Sequence, residues 1–327
     1  MPNVLIMPTP LRHRPGKYRE IFEAAGFHVV DPPGYHRLSE SDLVEAMPAV
    51  DALLAGGDPV TARMIAAAPK LRAIARVGVG FESVDVATAT SREIAVAITP
   101  GANHESVAEQ TIAMLLALTR NVPGNDRMVR EGGWDRRPVR PMRGTTMGIV
   151  GLGRIGRSVA VRARAFGMKL VAHDRNAQPE FEAEQGITRL GLEELLAASD
   201  AVSLNLPLNP RTEGMFDRRL FAMMRPGAIV LNTARGGLIN EADLANALLS
   251  GHLGGAGLDV LCSEPPERDN PLLTLRNVVF SPHIGGVDTS ALDDMAEQAA
   301  RNTIDLYHGK WPEGCVVNEE IRPNWRW

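Results

Sequence analysis

Apolar residues in this chain gather in short runs separated by amphipathic stretches. Early in the chain VLIM (4–7), FHVVD (27–31), ALLA (52–55), LRAIARV (71–77) and IAVAI (94–98) read as strands. Residues 17–25 and 61–68, which lie between them, carry apolar positions at helical spacing. Strand alternating with helix predicts an α/β fold, a parallel sheet with helices on both faces.

A long helix is expected over 106–122, ended by Pro123, and its all-round apolar middle suggests burial between domains or subunits. After the Gly/Pro/Arg-rich passage EGGWDRRPVRPMRG a second series begins. Its six expected strands are MGIVG (147–151), KLVAHD (169–174), AVSLNL (201–206), AIVLNT (228–233), GAGLDVL (255–261) and NVVFSPH (277–283). Six strands with helical connections match a Rossmann-type sheet. From about residue 289 a further helix is expected to return to the first sheet. That makes residues 1–100 plus 287–327 one doubly wound domain and 101–286 a second, inserted in it.

At 327 residues, 44% hydrophobic and 23% charged, the composition is that of a soluble globular chain of two domains. A net charge of −4 and a pI of about 6.1 give no basic footprint for nucleic acid or a membrane surface. The N-terminal run VLIM is too short for a signal-peptide core, and no run reaches the roughly 20 residues of a membrane span. The two cysteines, Cys262 and Cys315, lack metal-ligand spacing and fit a reducing compartment. No metal site and a cytoplasmic location are the expectations.

Gly151-Leu-Gly-Arg-Ile-Gly156 becomes informative through its setting. A strand precedes it, a helix over 154–166 follows, and the next strand ends in Asp174. In such a βαβ unit Gly151, Gly153 and Gly156 permit a tight turn and close backbone approach to a pyrophosphate. The helix N-terminus supplies amide donors. Asp174 is placed to accept hydrogen bonds from a ribose, and its charge would repel a 2′-phosphate. NAD is therefore expected over NADP, with Arg175 next door softening the preference.

Three further residues stand at strand ends of the second series: Arg235 after AIVLNTA, Glu264 in LDVLCSEPP and His283 in VVFSPHIGG. Ligands of open α/β sheets bind at the carboxyl ends of strands, so the three can converge. Arg235 either closes an ion pair, with Glu241 or Asp259, or awaits an anion from outside. His283 and Glu264 have plain alternatives as a strand-end hydrogen bonder and an exposed turn residue.

ARGGLINEADLANAL, GAGLDVLCSEPP, NPLLTLRNVVFSPHIGG and GLGRIG together resemble the D-isomer-specific 2-hydroxyacid dehydrogenases. RVGVGFESVDVATA, SVAE and LPLNPRTEGMF extend the resemblance from the first strand to the tail. It implies a flavodoxin-like substrate-binding domain and a Rossmann NAD-binding domain, with Arg235, Glu264 and His283 as catalytic triad. It also implies cofactor contacts at Val79, Arg154, Ile155, Asp174, Leu206, Thr233, Ala234, Asp259 and the turn containing Gly285 and Gly286. Arg76, Val77 and Gly78 match the substrate loop, whose glycines let amides approach a substrate carboxylate. The chemistry suits the residue types. A proton donor working near neutral pH serves the reduced ketone, a carboxylate stabilises its imidazolium, and a guanidinium fork holds the substrate carboxylate.

Within the family the resemblance is closest to short-type D-3-phosphoglycerate dehydrogenases. It implies a homodimer, and no serine feedback is expected. Arg76 and Arg136 fit basic residues of those enzymes, but Leu54-Ala-Gly-Gly-Asp58 lacks an expected arginine and adds an acid. Glyoxylate, hydroxypyruvate and 3-phosphoglycerate all remain open as substrates. Two rival readings are an NAD(H)-sensing corepressor-like protein and a formate dehydrogenase-like enzyme. The first lacks a basic interaction arm, and the second pairs its histidine with glutamine, where Glu264 stands here.

Overall fold

The protein is described by a computed structural model over residues 1–32 and 38–327. It divides into two compact units, Met1–Asn103 with Val287–Trp327, and His104–Gly286.

The first unit holds five parallel strands: β1 (Asn3–Ile6), β2 (His28–Val30), β3 (Ala52–Ala55), β4 (Ala73–Arg76) and β5 (Ala95–Ala97). Their order is β2-β1-β3-β4-β5, the flavodoxin-like arrangement. Strands covered on both faces need no polar alternation, so β3, β4 and β5 are buried throughout. Alternation of side-chain direction splits each apolar run between two cores. Val4, Ile6, Leu54 and Ala75 pack with Tyr18, Phe22 and the alanines 296, 299 and 300. Leu5, Met7, Leu53 and Ile74 pack with Met47, Met64 and Ile65 on the other face.

Helix Thr289–Tyr307 is capped by Asp288, whose Oδ1 accepts from Ala291 N at 2.8 Å, and it lies against helix Lys17–Ala24 and strands β3 to β5. The tail then covers an apolar surface. Trp325 is buried, and the Trp327 ring meets Phe27 and Tyr307 edge-on at 5.7 and 5.1 Å.

The second unit carries seven parallel strands where the sequence suggests six: β6 (Thr146–Val150), β7 (Lys169–His173), β8 (Ile187–Arg189), β9 (Ala201–Leu204), β10 (Ala228–Asn232), β11 (Leu253–Leu258) and β12 (Val278–Phe280). Their order is β12-β11-β10-β9-β6-β7-β8. The overlooked strand, β8, is Ile-Thr-Arg at the sheet edge, paired with β7 alone. Three residues with no fully buried member leave no apolar run to read. Connections leave β6 in opposite directions, toward β7 and toward β9, which makes the β6/β9 boundary the switch point where such folds bind ligands.

Helix His104–Thr119 packs on β10, β11 and β12 and against helix Arg154–Ala165. It stops before Pro123, not at it. Asn121 takes a left-handed conformation (φ 51°) and Pro123 falls in the first turn of a new helix, Val122–Arg130. An N-terminal turn tolerates proline because its amides lack helical acceptors anyway.

Among the described residues no helix is long and apolar enough to cross a membrane.

Candidate active site

The glycine loop joins β6 to helix Arg154–Ala165. A Cβ on Gly156 would lie 2.0 Å from the Gly151 oxygen, so only glycine lets the helix settle this close to the loop. Gly153, the helix N-cap, has open space where its Cβ would stand. Next in the chain come the first-turn amides of Arg154, Ile155 and Gly156, which have no intrahelical acceptors. A pyrophosphate fits this combination of gap, donors and helix dipole.

Asp174 follows β7. Its Oδ2 accepts from Leu152 N at 2.7 Å and its Oδ1 from Asn176 N at 2.8 Å. The carboxylate thereby pins the glycine loop while lone pairs remain for a ribose. Arg175 is exposed beside it. Leu206 lies half-buried in the loop after β9.

Arg235 ends the turn after β10. Asn232, fully buried, shapes that turn by accepting from Ala234 N at 3.1 Å and donating to the Arg235 carbonyl at 2.8 Å. Arg235 Nη1 donates to Ala234 O at 2.6 Å. Thr233 is buried and shares a 2.8 Å hydroxyl contact with Thr111. Glu241 accepts from Cys262 N and Asn270 Nδ2, and Asp259 accepts from Ile284 N, Gly285 N and the Ser281 hydroxyl.

Glu264 and His283 meet directly, with Nδ1 2.6 Å from Oε2, and Nε2 is on the opposite side of the ring. Burial pushes the Glu264 carboxyl up. The hydrogen bond and charge of His283, the Leu261 amide and the charge of Arg235 outweigh that and hold it below the usual carboxylate range. The Arg235 cation therefore acts on the same carboxylate that holds the imidazole.

His283 stands at φ 53°, a left-handed conformation that costs a non-glycine residue free energy. Asp259, itself buried, fixes it from several sides. Its carbonyl accepts His283 N at 2.8 Å, and its carboxylate takes the amides of Ile284 (3.0 Å) and Gly285 (2.8 Å). Gly285 is buried and Gly286 half-buried. Helix His104–Thr119 adds two braces, Gln110 Nε2 to Ser281 Oγ at 2.9 Å and Ser106 Oγ to Gly285 O at 2.7 Å. Asn232, Ser281, Gln110 and Ser106 escape sequence reading because their partners are set by sheet and helix packing. Only Ser281, next to the Pro-His pair, carries a local hint.

In the first unit Arg76 is buried at the end of β4. Nε donates to Gly80 O at 2.7 Å and Nη1 to Ala55 O at 3.0 Å, so part of its fork closes its own loop. Gly78 N donates to Thr99 Oγ1 at 2.9 Å, Val77 is half-buried and Val79 is exposed. Just past the short helix Thr9–Leu11 that follows β1 stands a buried cation that sequence reading missed, Arg12, with Nε and Nη2 on Met7 O at 2.9 and 2.6 Å. Burial lowers its pKa, opposed by the charges of Asp58 and Asp31.

A family model for the D-isomer specific 2-hydroxyacid dehydrogenase NAD binding domain matches residues 112–285. The chain is 43% identical over 290 residues to a D-3-phosphoglycerate dehydrogenase of Mycobacterium tuberculosis, covering 86% of this chain and 55% of that protein. It thus spans about half the length of such relatives. It is 40% identical to a glyoxylate reductase of Korarchaeum cryptofilum, covering 93% and 92% of the two chains. The crystal structure of the TT0316 protein of Thermus thermophilus superposes with a TM-score of 0.86 at 37% identity, over 96% and 100% of the chains.

Proposed function

Because the chain belongs to the D-isomer specific 2-hydroxyacid dehydrogenase family, we propose that it interconverts a small 2-keto acid and its D-2-hydroxy acid with NAD. The observation that carries this reading is the 2.6 Å contact between His283 Nδ1 and Glu264, on a carboxylate also acted on by Arg235.

The glycine loop and Asp174 would hold NAD by its pyrophosphate and ribose, and the cofactor would supply the hydride in the reduction and accept it in the oxidation. The protein's part is positioning and proton transfer. His283, as imidazolium, donates from Nε2 to the oxygen of the reduced ketone and takes the proton back in the oxidation. Glu264, ionised, neutralises the imidazolium and fixes the ring through Nδ1. Arg235 holds the substrate carboxylate with its planar fork. Asp174 favours NAD, since a 2′-phosphate would meet its charge. Val79, Leu206, Thr233, Ala234 and Asp259 are assigned to the cofactor, and Val77 and Gly78 with Arg76 to the substrate.

Relatives include both a phosphoglycerate dehydrogenase and a glyoxylate reductase. The acid at position 58 favours a substrate without phosphate, such as glyoxylate or hydroxypyruvate. A homodimer is part of the proposal, with exposed Val122, Val129 and Trp134 offered to a second copy.

NADH oxidation followed at 340 nm over a panel of 2-keto acids, 3-phosphohydroxypyruvate included, tests the reading. Turnover of a small keto acid is expected. His283→Ala should lower kcat by about 10²- to 10⁴-fold and leave NADH affinity within about twofold. Tight NADH binding without turnover on any panel member would sink the proposal.

A further inference from the structure

Two successive amides in the loop after β11 point to two different carboxylates. Leu261 N donates to Glu264 Oε1 at 3.1 Å, within the loop itself. Cys262 N donates to Glu241 Oε1 at 2.7 Å. Glu241 is the first residue of helix Glu241–Leu249, and its other oxygen accepts from Asn270 Nδ2 at 2.6 Å. Asn270 in turn caps the short helix Pro271–Thr274. One carboxylate thus ties both ends of the segment that carries Glu264.

The floor of this loop is as constrained as its ends. A Cβ on Gly236 would lie 2.0 Å from Leu261 C and 2.5 Å from Cys262 N. The Leu261–Cys262 peptide therefore rests on the residue that follows Arg235, and no side chain could be inserted there. A hydrogen bond to a charged acceptor is worth roughly 1.5–3 kcal/mol. An exposed loop with Cys262, Ser263, Glu264 and Pro265 all at the surface has little apolar burial to hold it instead.

We propose that Glu241 is a positioning residue for Glu264, clamping its loop onto the Arg235 turn so that the carboxylate stays within hydrogen-bond reach of His283. The inference rests on the proposed dehydrogenase reading for its kinetic consequence and on geometry alone for the clamp. Glu241 touches neither His283 nor any group assigned to the reacting atoms.

Three variants separate positioning from general damage. Glu241→Ala is expected to lower kcat for keto-acid reduction about tenfold with KM for NADH within twofold, and to displace the alkaline limb of the pH–rate profile in the same direction as Glu264→Gln. Glu241→Gln, which keeps an acceptor for Cys262 N, should recover most of that loss. The double variant Glu241→Ala/Glu264→Gln should be no slower than Glu264→Gln alone, because the two changes act through one group. Multiplying losses, or a parental kcat and pH profile in Glu241→Ala, would overturn the proposal.

The clamp also has a readout independent of turnover. Although Cys262 as a residue is exposed, its Sγ tucks in 3.6 Å from Ile239 O, and this partial burial, together with the charge and hydrogen bond of Glu241, pushes the thiol up to about 11. Glu241→Ala should then speed alkylation of Cys262 by iodoacetamide at pH 8 to 9, with Cys262→Ser marking the background from Cys315. Unchanged alkylation would overturn the clamp whatever the activity. Faster alkylation in a protein whose parent turns over no 2-keto acid would remove the dehydrogenase reading and the positioning role with it, leaving only the loop contact.

Discussion

His283 spends backbone strain to aim its ring. A left-handed conformation costs a non-glycine residue on the order of 1–3 kcal/mol, and here three amides on Asp259 hold it. The ring is then set by Glu264, whose carboxylate stays ionised through the neutral range because its pKa is lowered. Glu264→Gln keeps an acceptor for Nδ1 but removes the charge that stabilises imidazolium. For reduction, which needs the protonated ring, the alkaline limb of the pH–rate profile should move to lower pH. An unmoved limb would mean the carboxylate does not act on the proton donor. The residue types were legible in the sequence, since arginine, glutamate and histidine each follow an apolar run. Their convergence, with Glu264 on the His283 ring, was expected from the strand-end rule and the family resemblance, and the 2.6 Å contact agrees; its physical cause, the adjacency of β10, β11 and β12, belongs to the sheet.

At the scale of elements, burial decided what could be read. β3 and β5 are wholly apolar, and β1 and β4 are apolar but for Asn3 and Arg76 at one end, so all four lie within a residue or two of where the pattern puts them, whereas β8 has no run to show. Helix His104–Thr119 ends earlier than Pro123 suggests for a similar reason, because a proline in a first turn and a proline after a last turn look alike in sequence.

The link between β2 and helix Lys17–Ala24 gives a stability test. Asp31, little exposed, accepts from Arg19 Nη2 at 2.6 Å and from His13 N at 3.1 Å. Burial raises its pKa, but the hydrogen bonds of Arg19 and His13 and their charges lower it further than burial lifts it. A depressed folded-state pKa stabilises above the unfolded value, near 4, and that stability is lost as pH falls through the folded value. Asp31→Asn should cost about 2 kcal/mol at pH 7 in urea unfolding, and the gap should narrow below about pH 4. A gap of constant size would refute the ionic origin.

Helix Val122–Arg130 has no buried residue, and Trp134 beyond it is 80% exposed. Apolar side chains so placed are expected to be covered by a second copy. Light scattering should give a dimer mass for the parent and a monomer mass for Val129→Asp/Trp134→Ser. Equal masses would remove this face from the interface.

For the whole molecule, the chain enters the second unit at His104 and leaves it after Gly286, three residues past His283. The glycine loop, Asp174, Arg235, Glu264 and His283 all lie inside that one unit. NADH at about one hundred times its Kd should add about 2.7 kcal/mol to the folded state. NADPH at the same concentration should raise the melting temperature less, and Asp174→Ala should narrow the difference. Equal shifts from the two cofactors with the parent chain would count against the role assigned to Asp174.

Local pattern was sufficient for two parallel sheets, the dinucleotide loop and the chemical types at the strand ends, because each depends on residues adjacent in the chain. Only the folded chain decided that the Asp259 carboxylate and carbonyl hold the His283 turn, that Glu241 accepts from the Cys262 amide, and that Arg76 gives two of its donors to carbonyls of its own unit. Hydrogen bonds of that kind join strands far apart in sequence, and strand order is settled by the packing of whole sheets, which no short segment encodes.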